Sequence, residues 1–170
     1  APTELDAIAC GVGPGTFTPT TITNGVAGIN HTAGILAVSH DTALGTARVQ
    51  MGNAQLLAAG GDRTLANDFA IHNNVTVVFG GRRDFGGTDD LTLTGGITLH
   101  SNNTTGQVVN LDVLDPLTLV TMSGVISGGG NFIVPTKRGI GTLVWSGNNT
   151  FDVRNFLAAS SLTSNDGIRV

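Results

Sequence analysis

Short runs of apolar or alternating residues, each only a few positions long, recur along most of this chain and are separated by Gly and Asn. They include Ile35-Leu36-Ala37-Val38, Val49-Gln50-Met51, Gln55-Leu56-Leu57-Ala58, Phe69-Ala70-Ile71, Val75 to Phe79, Leu91-Thr92-Leu93 and Ile97-Thr98-Leu99. Further on come Val108 to Leu111, Leu117 to Val120, Val125-Ile126, Phe132-Ile133-Val134 and Leu143-Val144-Trp145. Between many of them stand turn residues such as Gly52-Asn53, Gly60-Gly61-Asp62, Asn73-Asn74, Gly95-Gly96 and Gly147-Asn148-Asn149. A period of two sends Leu91 and Leu93 to one face and Thr92 and Thr94 to the other, which is strand patterning. Runs this short, joined by one- or two-residue corners rather than hairpins, favour a solenoid over an antiparallel sandwich. The reading is an all-β right-handed parallel β-helix. At roughly 20 residues per coil it would have roughly six or seven coils.

Composition agrees. Hydrophobic residues make up 40% of the chain and charged residues only 12%, with 25 Gly. The core is sufficient, and uncharged polar groups must cover the surface. The helix formers Lys and Glu occur once each, at Lys137 and Glu4, so long helices are not expected. Residues 1–28 differ: Pro2, Pro14 and Pro19 and Thr-rich stretches suggest an N-terminal arm or cap, with a short helix at Glu4 to Ala9. The organisation expected is this arm, a solenoid over 29–151, and a tail, cap or subunit-contact segment over 152–170. The start Ala1-Pro2-Thr3, small and without an initiator Met, fits either a signal-peptidase product or a trimmed chain.

A net charge of −4 and isolated cation pairs (Arg82-Arg83, Lys137-Arg138) do not provide the basic patch that nucleic-acid binding needs. No apolar run approaches the ~20 residues of a membrane span. Cys10 is the single cysteine, so it forms no internal disulfide. Histidines His31, His40, His72 and His100 lack paired metal-ligand spacing and are expected outward or in loops. No metal or cofactor is expected. Ser146 lacks a nucleophile elbow. Trp145 with Phe132 and Phe151 reads as core stacking before a sugar platform. The Asn-x-Thr sequons at Asn30, Asn74, Asn102, Asn103 and Asn148 suit an Asn/Thr-rich chain.

Acidic groups are the best candidates for chemistry. Asp84 with Asp89-Asp90, and Asp112 with Asp115, are the clusters that a polysaccharide-cleaving β-helix would use as acid, base or calcium ligands. The simpler reading is a solvated turn at Asp89-Asp90 and, at Asp112 to Pro116, a turn entering a strand at 117–120. A non-enzymatic protein is expected.

One stretch is more specific. Residues 133–151 include Lys137-Arg138-Gly139-Ile140-Gly141-Thr142-Leu143-Val144-Trp145-Ser146-Gly147-Asn148-Asn149-Thr150-Phe151. This resembles the autotransporter-associated β-strand repeat, approximately Lys-x-Gly-x-Gly-Thr-Leu-x-Leu-Ser-Gly-x-Asn-Thr-Tyr. The resemblance extends loosely over 34–151 and is specific over 123–151. After the aromatic residue the family usually continues Gly-Gly-Thr; here Asp152-Val153-Arg154-Asn155 follows. Gly139 and Gly141 are expected to turn without a Cβ clash and Gly147-Asn148-Asn149 to turn at positive φ, while Leu143, Trp145 and Phe151 enter the core. The resemblance implies a secreted or bacterial cell-surface protein. Its unpaired coil edges suggest head-to-tail association with itself into a fibre. The alternatives are a passenger fragment of an adhesin that binds host or matrix glycans or proteins, and a carbohydrate-active β-helix enzyme.

Overall fold

The computed structural model describes residues 20–22, 26–80, 88–101, 107–129, 133–151 and 168–169. Among these residues the chain is all-β, without a helix. Its strands are β1 (Thr20–Ile22), β2 (Val26–His31), β3 (Ile35–Val38), β4 (Arg48–Met51), β5 (Gln55–Ala58), β6 (Arg63–Leu65), β7 (Phe69–Ile71) and β8 (Val75–Phe79). They continue as β9 (Leu91–Leu93), β10 (Ile97–Leu99), β11 (Gln107–Val113), β12 (Leu119–Met122), β13 (Ile126–Gly128), β14 (Ile133–Arg138), β15 (Thr142–Trp145) and β16 (Ile168–Arg169).

Three sheets take these strands. Sheet I runs β1-β2-β4-β7-β10-β13, sheet II β14-β11-β8-β5-β3 and sheet III β16-β15-β12-β9-β6. Every pairing is parallel except β1 with β2. From β4 onward the chain visits sheets I, II and III in turn and then returns to I. Parallel neighbours require such a crossover, because a hairpin would reverse the strand.

Register shows why the apolar runs take these places. In sheet I, Ile29, Val49, Phe69, Ile97 and Ile126 are successive partners, all nearly or fully buried. In sheet III the same holds for Leu91, Val120 and Leu143, and for Leu93, Met122 and Trp145. Sheet II aligns Leu36, Leu56, Phe79 and Val113. These columns from all three sheets join one apolar core. A one-residue slip would turn a whole column outward, so burial fixes the register.

The spacing between partners is not constant. Arg48 and Val49 follow their sheet I partners Gly28 and Ile29 by 20 residues, but Val109 follows Val75 by 34. The sequence-based figure of roughly 20 residues per coil is therefore corrected for the later strands. Strand β2 begins at Val26, inside the segment 1–28 assigned to the arm, and β1 lies wholly within it. The expected helix at Glu4 to Ala9 falls outside the described residues. The strand expected over 117–120 begins at Leu119 instead, and Leu117 is 71% exposed.

Candidate functional site

The motif near Gly141 forms the corners that seat β15 on the rest of the molecule. Gly139 has φ +75°, and a Cβ there would lie 2.3 Å from the Val113 carbonyl oxygen. A Cβ on Gly141 would lie 2.4 Å from the Asp115 oxygen, and its N–H donates to Val113 O at 2.8 Å. Both glycines thus permit backbone-to-backbone approach that any side chain would block. At the next corner the expectation of positive φ is corrected: Gly147, Asn148 and Asn149 do not take left-handed backbone conformations. Glycine is required there for space. A Cβ on Gly147 would meet Gly124 O at 2.2 Å, one on Gly124 would meet Gly95 O at 1.9 Å, and one on Gly95 would meet Asn67 O at 2.1 Å. Asn67 begins this stack, and its amide donates to the Ala47 and Gly45 carbonyls at 2.8 and 3.1 Å.

Leu143 is fully buried; the Trp145 ring packs edge-on against Phe151, centroids 5.6 Å apart. Asn148 is exposed. Asn149 has a distinct role: its Oδ1 accepts the Ile126 N–H at 2.9 Å, while Thr150 N–H donates to Ile126 O at 2.8 Å. Strand β13 is the last of sheet I, so Asn149 and Thr150 satisfy backbone groups on that sheet's edge.

The acidic candidates are also committed to the backbone. Asp89 Oδ2 accepts the N–H of Gly61 at 2.8 Å, and Asp90 Oδ1 accepts that of Leu119 at 2.8 Å. Adjacent carboxylates therefore grip the strand regions before and after them, rather than converging or lying free in a solvated turn. The same device recurs at corners. Asp41 accepts from Thr64 N–H, Asp62 from Asp90 N–H, Asp68 from Gly96 N–H, Asn53 from Thr76 N–H and Asn74 from Val108 N–H. Those made by the carboxylates are charge-assisted, the stronger class.

Asp112 is buried within β11, not in a turn; Arg138, its register partner on β14, stands 3.4 Å away. Burial raises the Asp112 pKa, against the opposing pull of Arg138 and Lys137. Asp115 accepts the Leu117 N–H at 2.9 Å. Asp84, Phe132 and Cys10 lie outside the described residues.

His31 differs from expectation, whereas His40 is exposed as expected. His31 is fully buried in the column of Met51, Ile71 and Leu99, and its Nε2–H donates to Gln55 O at 2.8 Å. Burial lowers its pKa, with the Gln55 bond opposing. His72 and His100 stack on neighbouring strands with centroids 5.9 Å apart, and Arg48 Nη2 lies 3.2 Å from His100 Nε2. Among the described residues no group of three or more His, Cys, Asp or Glu side chains is arranged to hold a metal ion. No helix among them is long and apolar enough to cross a membrane.

No protein-family model, curated protein or solved structure matches this chain.

Proposed function

We propose that this protein is a non-enzymatic structural β-solenoid of a bacterial surface, a right-handed parallel β-helix that presents its lateral faces. The observation that carries this reading is the use of its polar side chains. Asp41, Asp62, Asp89, Asp90, Asn53, Asn74 and Asn149 spend their oxygens on backbone N–H groups of neighbouring strands. Such groups hold a stack together and leave these carboxylates little freedom to act as acid and base. The described strands supply four full rounds of the three sheets, β4 to β15, preceded by β2 and β3. The likeness of residues 123–151 to the autotransporter-associated repeat supports the surface location.

The edges favour a capped solenoid over end-to-end stacking. Strand β1 covers β2 on sheet I, and Asn149 and Thr150 cover β13 at the opposite edge. Strand β16 covers β15 on sheet III, where Asp41 also satisfies the Thr64 N–H of β6. On and just after β8, Val78 N–H and Gly80 N–H donate backwards to Ala54 and Leu56, and the register carries this parity through β11 to residues 134, 136 and 138 of β14. The positions facing the outer edge of β14 are then Ile133, Pro135, which has no N–H, and Lys137. Pro135 and Lys137 are residues that discourage strand addition. The fibre reading stands second, favoured by β3, whose outer edge has no strand beside it among the described residues.

Sedimentation of the full chain beside variants lacking 1–24 or 156–170 tests this. The capped reading expects a monodisperse full chain and association of the 1–24 deletion, which strips β1 from β2. Fibres of the full chain that either deletion abolishes would establish the second reading. Cleavage of a polysaccharide panel, lost on Asp89→Ala or Asp112→Ala, would refute the structural role altogether.

A further inference from the structure

We propose that Arg48, His72 and His100 form a receiving site for an oxyanion, carboxylate or sulfate, on the outer face of sheet I. Arg48 lies on β4, His72 follows β7 and His100 follows β10, so three successive strands of one sheet contribute. In register, Arg48 is level with Asp68 and His100 lies two residues beyond Thr98, the partner of Ala70. The line from Arg48 to His100 therefore crosses the sheet diagonally, with Ala70 at its midpoint. Ala70 alternates outward between Phe69 and Ile71, yet it is only 3% exposed. The small residue, flanked in register by Gln50 and Thr98, leaves room above it for a guanidinium and an imidazole.

Two features suit the site to an anion. The Arg48 guanidinium is directed to a ring nitrogen, Nε2 of His100 at 3.2 Å, instead of to a carboxylate. The His72 Nε2 is buried without a hydrogen-bond partner. Backbone bonds fix the main chain that carries both rings: His72 N–H donates to Met51 O and His100 N–H to Ile71 O. The charged or titratable groups on this face are Arg48, Asp68, His72 and His100, and Asp68 Oδ1 is occupied by the Gly96 N–H. The flanking strands β2 and β13 present uncharged Asn30 and Ser127 at the corresponding positions. Burial, then Arg48, then His72 lower the pKa of His100. An oxyanion between these groups would reverse the two Coulombic causes, accept from the guanidinium and draw a proton onto the ring. Binding and protonation are therefore coupled, and affinity rises as pH falls.

The site needs the outer face of sheet I to be free, as in the capped reading, but sedimentation and binding can fail separately. Inorganic sulfate is titrated into the full chain at pH 5.5 and 7.5 while the histidine ring resonances are followed. The ring signals of His72 and His100 are expected to move and saturate while those of exposed His40 stay, with affinity about fivefold or more tighter at pH 5.5. Arg48→Gln should abolish binding, and His100→Gln should remove the pH dependence. Ala70→Leu, which fills the midpoint without changing a charge, should weaken binding even if Arg48→Gln does not fold. A sulfated oligosaccharide that binds more tightly than free sulfate assigns the site to an acidic glycan; equal affinity assigns it to the ion alone. Equal movement of His40, equal affinity at both pH values, unchanged binding by Ala70→Leu, or equal binding of the unsulfated oligosaccharide would overturn the proposal.

Discussion

His31 occupies a place where the neighbouring strands carry Met51, Ile71 and Leu99, and its Nδ1 is buried with no hydrogen-bond partner. Protonation there puts a charged donor into the apolar core. His31 and His100 both have folded pKa values below the ordinary ~6.5, so the unfolded chain binds more protons in that range. Stability is thus complete above the unfolded value and falls as pH drops from ~6.5 through the lowered folded values. Asp112 has the opposite sign: its raised pKa favours the fold at low pH and loses that contribution as pH rises through its folded value, in a more acid window. The urea midpoint is expected to rise between pH 5 and 7.5, and His31→Met should shrink that rise; an undiminished rise would contradict the assignment to His31. The burial of His31 was not readable in the sequence. A lone His at the end of Val26–His31 carries no mark of facing inward until Met51 is placed beside it. Glycine shows a similar contrast. Gly124→Ala should cost about 3 kcal/mol, since its Cβ would sit on the Gly95 carbonyl. Gly45→Ala meets nothing within 4 Å and bears only the left-handed φ of +58°, a cost of about 1–2 kcal/mol. Denaturant midpoints of the two variants read this ordering directly.

At the level of elements, alternation located most strands. Ile35–Val38, Val75–Phe79, Leu91–Leu93 and Ile97–Leu99 match the runs seen in the sequence. Strand β6 was missed, because Arg63-Thr64-Leu65 has one apolar residue and gains its conformation from pairing with β9. The corners were legible as turns but not as braces. Asp89-Asp90 looks like a solvated pair until Gly61 and Leu119, 28 and 29 residues away, are brought beside it. The same distance problem hid the Arg48–His100 contact, whose partners are 52 residues apart along a chain of uneven spacing. Asp90→Ala leaves the Leu119 N–H without its acceptor and should cost about 1–2 kcal/mol, whereas Asp90→Asn keeps an oxygen and should cost less. Equal losses for both variants, measured by thermal or urea unfolding, would mean that charge rather than the hydrogen bond matters. Gly139, Gly141 and Gly147 were legible as turn glycines, but the reason at Gly147 is stacking on Gly124 rather than φ.

For the whole molecule, edge chemistry decides more than edge length. The sequence reading expected an N-terminal arm or cap over 1–28 and a tail, cap or subunit-contact segment over 152–170. The described strands β1 and β16 pair with β2 and β15 of the same chain. Chain order alone cannot distinguish these outcomes, because a strand that closes its own sheet and one that extends a neighbour's share one pattern. The central claim, parallel in-register stacking, is tested most directly by cross-linking in a Cys10→Ser background. Thr92 and Thr121 are partners on neighbouring strands of sheet III, and Val144 is the partner of Thr121 one strand further on. Neighbouring strands lie ~4.8 Å apart, within disulfide reach, and next-nearest ones ~9.6 Å apart, beyond it. On mild oxidation the Thr92→Cys/Thr121→Cys and Thr121→Cys/Val144→Cys pairs are expected to close within one chain, while Thr92→Cys/Val144→Cys stays reduced. Closure of the last pair with failure of the first two would contradict the stacked parallel order.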